Sequence, residues 1–406
     1  MDVCAKGRRR RWRRSWTTLC LTFVTLLAIV PPSFEAQWLG ERAFRELSLA
    51  QIQHLVDSPD SAKNLDTSDP SSHLSKILIP RVADTENNTL VKNYIATTLK
   101  NLDWHVEEDT FTDMTPYGEK RFTNIIATKD PDAARRVVVA AHFDSKFFST
   151  YPMNQFLGAT DSAMPCALML DLAEALNPLL DRRKEQHEQD KFDDDDLADT
   201  TLQLVFFDGE EAFKDWTATD SVYGARHLAT RWSSTYLHPN SNRRLMPSTT
   251  ELSTIEHLIL LDLLGAKNPT IQNYFLDTAW LFDAMASSER RLARAGVFAG
   301  VSETDNNWRS FFTPRNEYTQ NYGYIEDDHI PFMKLGVSIL HIIASPFPRV
   351  WHTIKDDASA LDMETMHRWN MIMRVFMCEY LGLQPDDRPS TVVRAFDELP
   401  LRSTEL

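Results

Sequence analysis

Leu202-Gln-Leu-Val-Phe-Phe-Asp208-Gly-Glu210-Glu211-Ala-Phe-Lys-Asp-Trp216 is an apolar run that stops abruptly at Asp-Gly-Glu-Glu. Its short length and its Val, Leu and Phe content fit a buried strand. Two adjacent carboxylates then stand at the strand's C-terminal end, where ligands and catalytic groups collect in open α/β sheets. One carboxylate suits a metal, and its neighbour can move protons beside it. An isolated Glu-Glu pair is more often two solvated side chains at a turn. The flanking sequence decides between the two.

Working outward, buried-strand patterns recur at residues 136–141, 257–264 and 337–343, and half-exposed alternation at 104–112 and 122–128. Helical periodicity marks residues 44–56, 89–102, 164–176, 221–232, 278–295 and 363–381, with Asn177-Pro178 expected to stop the third of these. Apolar strands alternating with helices predict one α/β domain. Its central twisted sheet is mixed but mostly parallel and flanked by helices, with the 104–128 strands as an antiparallel edge. Residues 297–324 show no clear period and read as a long structured loop.

The chain has 406 residues, 43% hydrophobic and 25% charged, with ample material for a core. Arg8 to Arg14 form a basic block broken only by Trp12, followed by the uncharged run Leu19 to Val30 and Pro31-Pro32. Residues 1–36 are therefore expected to be a targeting segment, either a signal peptide or a Golgi-type signal-anchor. A mitochondrial presequence is the alternative. Residues 37–386 would be the catalytic domain and 387–406 a tail. The first 36 residues carry seven basic and two acidic side chains, so the net charge of -15 becomes about -20 without them. An acidic body argues against nucleic-acid binding. The Asp193 to Asp196 block lacks the glycine turns and alternating spacing of a calcium loop and reads as a solvated loop. Cys166 and Cys378 read as two buried thiols, with a single disulfide as the alternative.

Five segments end in metal-ligating side chains: His142-Phe-Asp144-Ser-Lys146, Gly158-Ala-Thr-Asp161-Ser-Ala163, Glu210-Glu211, Leu261-Asp262-Leu263 and Phe347-Pro-Arg-Val-Trp351-His352. Each has an ordinary explanation alone: a core histidine, a helix cap at Asp161, an ion pair at Asp262, a loop histidine. Together they place His, Asp, Glu, Asp and His at strand ends and helix starts, ligand types that suit zinc or a similar divalent ion.

In their order along the chain these motifs resemble the glutaminyl-peptide cyclotransferases (glutaminyl cyclases), relatives of the zinc aminopeptidases. They are His-x-Asp at 142–144, Ala-Thr-Asp-Ser-Ala at 159–163, Asp-Gly-Glu-Glu-Ala-Phe at 208–213 and Leu-Leu-Asp-Leu at 260–263. Asp-Asp-His-Ile-Pro-Phe at 327–332 and Pro-Phe-Pro-x-Val-Trp-His-Thr at 346–353 complete the set. The likeness runs from about residue 85 to 383. It implies one zinc held by Asp161, Glu211 and His352, with Glu210 as general acid/base and Asp262 and Asp327 as a supporting acidic network. Trp216, Ile325, Glu326, Phe347 and Trp351 would line the substrate pocket, and His142 and Asp144 would not bind the zinc. The implied reaction closes an N-terminal glutamine of a peptide or protein to pyroglutamate with loss of ammonia, and N-terminal glutamate would react poorly. A monomer is expected, touching a membrane only through an N-terminal anchor.

Two positions depart from the family pattern. Glu326 stands where the family usually has Gln. Ala141 stands where secreted members have a Cys paired to the position of Cys166, which leaves a Golgi-retained or mitochondrial form open. The main alternative is a two-zinc aminopeptidase using His142, Asp161, Glu211, Asp262 and His352. A non-catalytic binding homologue is a further one, although such a protein should have lost Glu210 or a ligand.

Overall fold

The computed structural model describes residues 44–57, 60–189, 200–237, 248–298, 308–315 and 323–386. Residues 1–36, expected to be a targeting segment, the Asp193 to Asp196 block, the expected 387–406 tail and much of the 297–324 loop lie outside these residues. Six strands form one sheet: β1 (His105–Thr115), β2 (Gly118–Thr128), β3 (Arg135–His142), β4 (Thr200–Phe207), β5 (Ile255–Asp262) and β6 (Ile339–Ile343). Their order is β1-β2-β4-β3-β5-β6. β1 pairs antiparallel with β2, and β2 antiparallel with β4. β4, β3, β5 and β6 are mutually parallel. The expected mixed sheet with an antiparallel edge is thus present.

Residue alternation along the central strands splits the core in two. Val137, Val139, Ala141, Leu204 and Phe206 face one cluster, and Val138, Ala140, Val205 and Phe207 face the other. The described helices are α1 (Leu49–Asp57), α2 (Ser61–Leu65), α3 (His73–Ile77), α4 (Glu86–Asn101), α5 (Met164–Gln189), α6 (Tyr223–Ser234), α7 (Ala279–Arg294), α8 (His329–Lys334) and α9 (Met363–Tyr380). Buried side chains of α4, α5, α7 and α9 build the first cluster. Leu228, Ala229 and Trp232 of α6 and Phe332 of α8 build the second.

Several boundaries differ from expectation. The first helix begins at Leu49 rather than residue 44, because Ser48 and Gln51 exchange side-chain and backbone hydrogen bonds (3.0 and 3.3 Å) in a capping box. α4 starts earlier than expected, capped by the Thr85 hydroxyl. Asn177-Pro178 does not stop α5, which runs on to Gln189. Pro178 costs about 3 kcal/mol in a helix interior. Burial of Leu176, Leu179 and Leu180 offsets that cost, and Asn177 Oδ1 is fixed by Trp104 Nε1 at 2.9 Å and Lys129 Nζ at 2.8 Å. β5 ends at Asp262 rather than residue 264, because Leu263 takes a left-handed φ of 53°. Cys166 and Cys378 are free and buried.

Parallel pairing brings the C-terminal ends of β3, β4, β5 and β6 to one edge, with His142 opposite Phe207 and Asp262 opposite Ile343. The chain leaves β3 for β4 on one side and then crosses to β5 on the other. A crevice opens at such a switch point.

Candidate active site

Glu210 and Glu211 sit on a turn locked from three sides. Gly209 has φ 77°, and a Cβ there would lie 2.5 Å from the Phe122 ring, so only glycine fits. Asp208 accepts from Thr123 N at 2.8 Å and Asn88 Nδ2 at 2.9 Å. Burial, with Asp144 nearby, pushes its carboxyl up to about 8. Asp144 takes the Glu210 and Glu211 backbone N–H groups on its two oxygens, at 3.2 and 3.3 Å.

Asp161 lies in a wide helical turn, Ala159–Ala163, ahead of α5, with non-helical φ/ψ of -121° and 77°. Gly158 makes this possible: a Cβ there would meet the Asp161 carbonyl oxygen at 2.1 Å. Asp356 accepts from Thr160 N at 2.9 Å and Thr160 Oγ1 at 3.0 Å. Arg81, fully buried, donates to the Phe143, Leu157 and Gly158 carbonyls and ties the two loops together. Asp161 thus enters the site from a non-helical turn, with its Oδ2 accepting no hydrogen bond.

His352 adopts a left-handed φ of 53°, and its ring stacks on Trp351 at 3.8 Å. Its Nε2 lies 3.2 Å from Asp161 Oδ2 and 3.3 Å from Glu211 Oε1. Those two oxygens are buried and accept no hydrogen bond. The second Glu211 oxygen faces Lys146 Nζ at 3.1 Å. Two carboxylates aimed at one point need a cation there. Two ligand atoms each about 2.0 Å from a tetrahedral ion would lie about 3.3 Å apart, so this donor set fits zinc. Burial would lower the His352 pKa, but its pairing with Asp161 and Glu211 wins and raises it to about 9.

A second cluster shares Asp161. His142 Nε2 lies 3.0 Å from Asp161 Oδ1 and 3.6 Å from Asp262, and its Nδ1 lies 3.4 Å from Asp144. Burial opposes charge on this ring, but Glu210 and these three acids together hold its pKa well above the ordinary histidine value. Ser162 Oγ donates to Asp262. All five ligand types of the two-metal alternative are thus close in space.

Glu210 is buried, and burial drives its carboxyl well above the usual range. His142 opposes the shift, while Glu211, Asp327 and Asp328 reinforce it. Asp327 Oδ2 pairs with His341 Nε2 at 2.8 Å. Asp262 and Asp327 influence one another through charge, with no direct hydrogen bond between them among the described residues. Trp216 and Trp351 are 42% and 39% exposed, Ile325 and Phe347 half-buried, and Glu326 exposed. Phe347 packs edge-on against Trp351 at 4.9 Å. Trp216 Nε1 donates to Glu326 Oε2 at 3.1 Å. The loop bearing Trp216 is pinned by Asp220, which accepts from Phe213 N, Lys214 N, Asp215 N and Tyr223 OH.

The motif at 327–332 contains Asp328 and His329 but gave them no role, and sequence patterning did not single out His341. Both Asp328 oxygens and both His329 nitrogens are buried without a partner. A signal existed: His341 interrupts the apolar strand Ile-Leu-His-Ile-Ile much as Asp262 ends β5.

Residues 124–377 match Peptidase family M28. The chain is 39% identical over 376 residues to the glutaminyl-peptide cyclotransferase of Bos taurus, covering 89% of this chain and 97% of that one. It is 41% identical to the Drosophila melanogaster protein of the same name, covering 88% and 89%. Among solved structures, the Macrostomum lignano glutaminyl cyclase is similar with a TM-score of 0.70 and 34% identity, covering 86% of this chain and 97% of that one. A Zn-dependent exopeptidase from Parabacteroides distasonis shares the fold, with a TM-score of 0.53, 20% identity and coverage of 82% and 99%. By sequence, fold and the residues at the strand ends, the chain belongs to the glutaminyl-peptide cyclotransferases within Peptidase family M28.

Proposed function

We propose that this chain cyclises the N-terminal glutamine of peptides and proteins to pyroglutamate with release of ammonia, as an aminoacyltransferase. Asp161, Glu211 and His352 would hold one zinc per chain. The observation that carries this is the placement of Glu210. It is a buried carboxyl with a raised pKa, next in sequence to Glu211, which with Asp161 and His352 forms a cluster able to hold a metal ion.

The substrate's α-amine attacks its own side-chain amide carbon, so a C–N bond forms within one residue. Bound zinc supplies Lewis-acid polarisation of the amide carbonyl. Glu210 accepts a proton from the attacking amine and returns one to the amide nitrogen, which leaves as ammonia when its C–N bond breaks. A carboxyl whose pKa is raised by burial suits both transfers. Asp144 keeps Glu210 and Glu211 in register through their backbone N–H groups. Asp327 supplies negative charge that favours the protonated form of Glu210, and Asp262 acts on Asp327 in turn through charge. The aromatic walls hold the folded-back side chain and exclude water.

His142 supports the one-metal reading. Asp144, Asp161 and Asp262 surround its ring and raise its pKa, and a protonated ring there would supply the positive charge that a second ion would otherwise bring. Residues 1–36 direct the chain into the secretory pathway, as a secreted or Golgi-retained monomer.

The test is incubation of the full chain with a Gln-initiated peptide, with and without chelator, followed by mass spectrometry and metal analysis. Loss of one ammonia, abolished by chelator and restored by zinc, at one metal per chain is expected. Shortening of the peptide by one residue would favour the two-metal peptidase.

A further inference from the structure

In a cyclase of N-terminal glutamine, the function on which this reading rests, the residues beyond the glutamine must leave through the mouth of the pocket. Glu326 is an exposed anion next in sequence to Asp327 and Asp328, whose charges act on Glu210. Trp216 follows β4 and Glu326 precedes α8, yet the indole Nε1 of the first holds Oε2 of the second at 3.1 Å. A neutral donor leaves the carboxylate its full charge. No Lys, Arg or His among the described residues pairs with Glu326, and its neighbours Asp327 and Asp328 are buried acids. Lys146, the cation nearest the ligands, is already engaged by Glu211. Arg349 and Lys355 are exposed cations two and four positions from Trp351 in sequence. Neither side chain has a partner among the described residues to hold it, so both are free to swing into water.

We propose that Glu326 is a specificity-determining residue that favours peptides carrying a basic side chain one or two positions after the glutamine. An extended peptide advances about 3.3 Å per residue, so a lysine or arginine there reaches the rim while the glutamine occupies the pocket. The effect is that of an exposed ion pair, screened by salt and about two- to five-fold in kcat/KM. It acts on KM more than on kcat, because the pair forms in the ground state and persists through the reaction.

The test compares three peptides differing only in Lys, Ala or Glu after the N-terminal Gln. kcat/KM is measured for the full chain and for Glu326→Gln, at roughly 20 mM and roughly 500 mM salt. The parent is expected to prefer Lys over Glu at low salt. That ratio should shrink toward one in Glu326→Gln and at high salt. Trp216→Phe, which keeps a ring but releases the carboxylate, should lower the ratio as well. An undiminished ratio in Glu326→Gln would assign the preference to the acidic body as a whole and overturn the role of Glu326. Equal rates for the three peptides in the parent would overturn it too. Failure of the parent to cyclise the Ala peptide would overturn the underlying function and this inference together.

Discussion

In the proposed mechanism, Glu210→Gln separates the proton carrier from the metal site. The substitution preserves shape, and the ligand atoms of Asp161, Glu211 and His352 are untouched. Only the ability to take and return a proton is lost. General acid/base catalysis by a positioned side chain is worth about 10²–10⁴ in rate. At 1.36 kcal/mol per decade this is about 3–5.5 kcal/mol of transition-state stabilisation. Folding stability should hold or rise slightly, because the charge of Glu210 is opposed by burial and by Glu211, Asp327 and Asp328. The assay measures ammonia release across pH, metal content and thermal unfolding on one preparation. The expected result is a fully metallated, folded protein with kcat/KM reduced at least a hundredfold, missing the pH limb that Glu210 contributes. Glu211→Ala should instead lose the metal, since it removes a ligand and leaves Lys146 facing Asp161 and His352 alone. A metal-loaded Glu210→Gln protein within tenfold of the parent would refute the assignment.

The geometry sets three further outcomes. In the metal-free protein His352 carries a pKa raised to about 9. Its stabilising contribution is therefore complete below the unfolded value near 6.5 and is lost as pH rises through 9. Zinc must displace that proton, so the apparent affinity should climb by up to roughly tenfold per pH unit below 9, and a flat chelator-competition profile between pH 6 and 9 would contradict this. Arg374 binds Asp171 through two contacts of 2.9 and 2.8 Å, both side chains fully buried. Arg374→Met should cost about 3–5 kcal/mol in denaturant unfolding by stranding a buried carboxylate, and the double variant Arg374→Met/Asp171→Leu should recover most of it. Gly209→Ala forces a side chain against Phe122 and should weaken zinc binding through displacement of Glu211. Parent-level affinity in that variant would show that the turn tolerates the shift.

The parallel strands were legible because their apolar runs end in chemically conspicuous residues. Val137 to Ala141, Leu202 to Phe207 and Leu258 to Leu261 announce burial on both faces. The acids beyond them mark the sheet edge where a ligand would sit. What stayed hidden depends on contacts distant in sequence. Nothing local shows that the Pro178 break would be overridden, since the cost is set by one residue and the compensation by burial of its neighbours against other elements. Nothing local tells that Asp144 would clamp two backbone N–H groups more than 60 positions away. Arg81 was invisible for the same reason. Its partners are carbonyl oxygens of other loops, and a carbonyl leaves no trace in residue identity.

Asp161 is the residue on which the two metal readings meet. One oxygen turns to His142 and the other to His352, which is the posture of a carboxylate able to bridge two ions. Whether it bridges depends on what occupies the His142 side. A neutral imidazole there would offer a lone pair. An imidazolium offers none and instead satisfies the charge of Asp144, Asp161 and Asp262. The acids around His142 favour the imidazolium, and Ser162 occupies Asp262 as a hydrogen-bond donor. The five residues that could hold two metals are arranged so that a proton on His142 and the Ser162 hydroxyl would stand in for one of them. In the proposed one-zinc site Asp161 would then serve the ion with a single oxygen and leave Glu210 to exchange protons with a substrate amine.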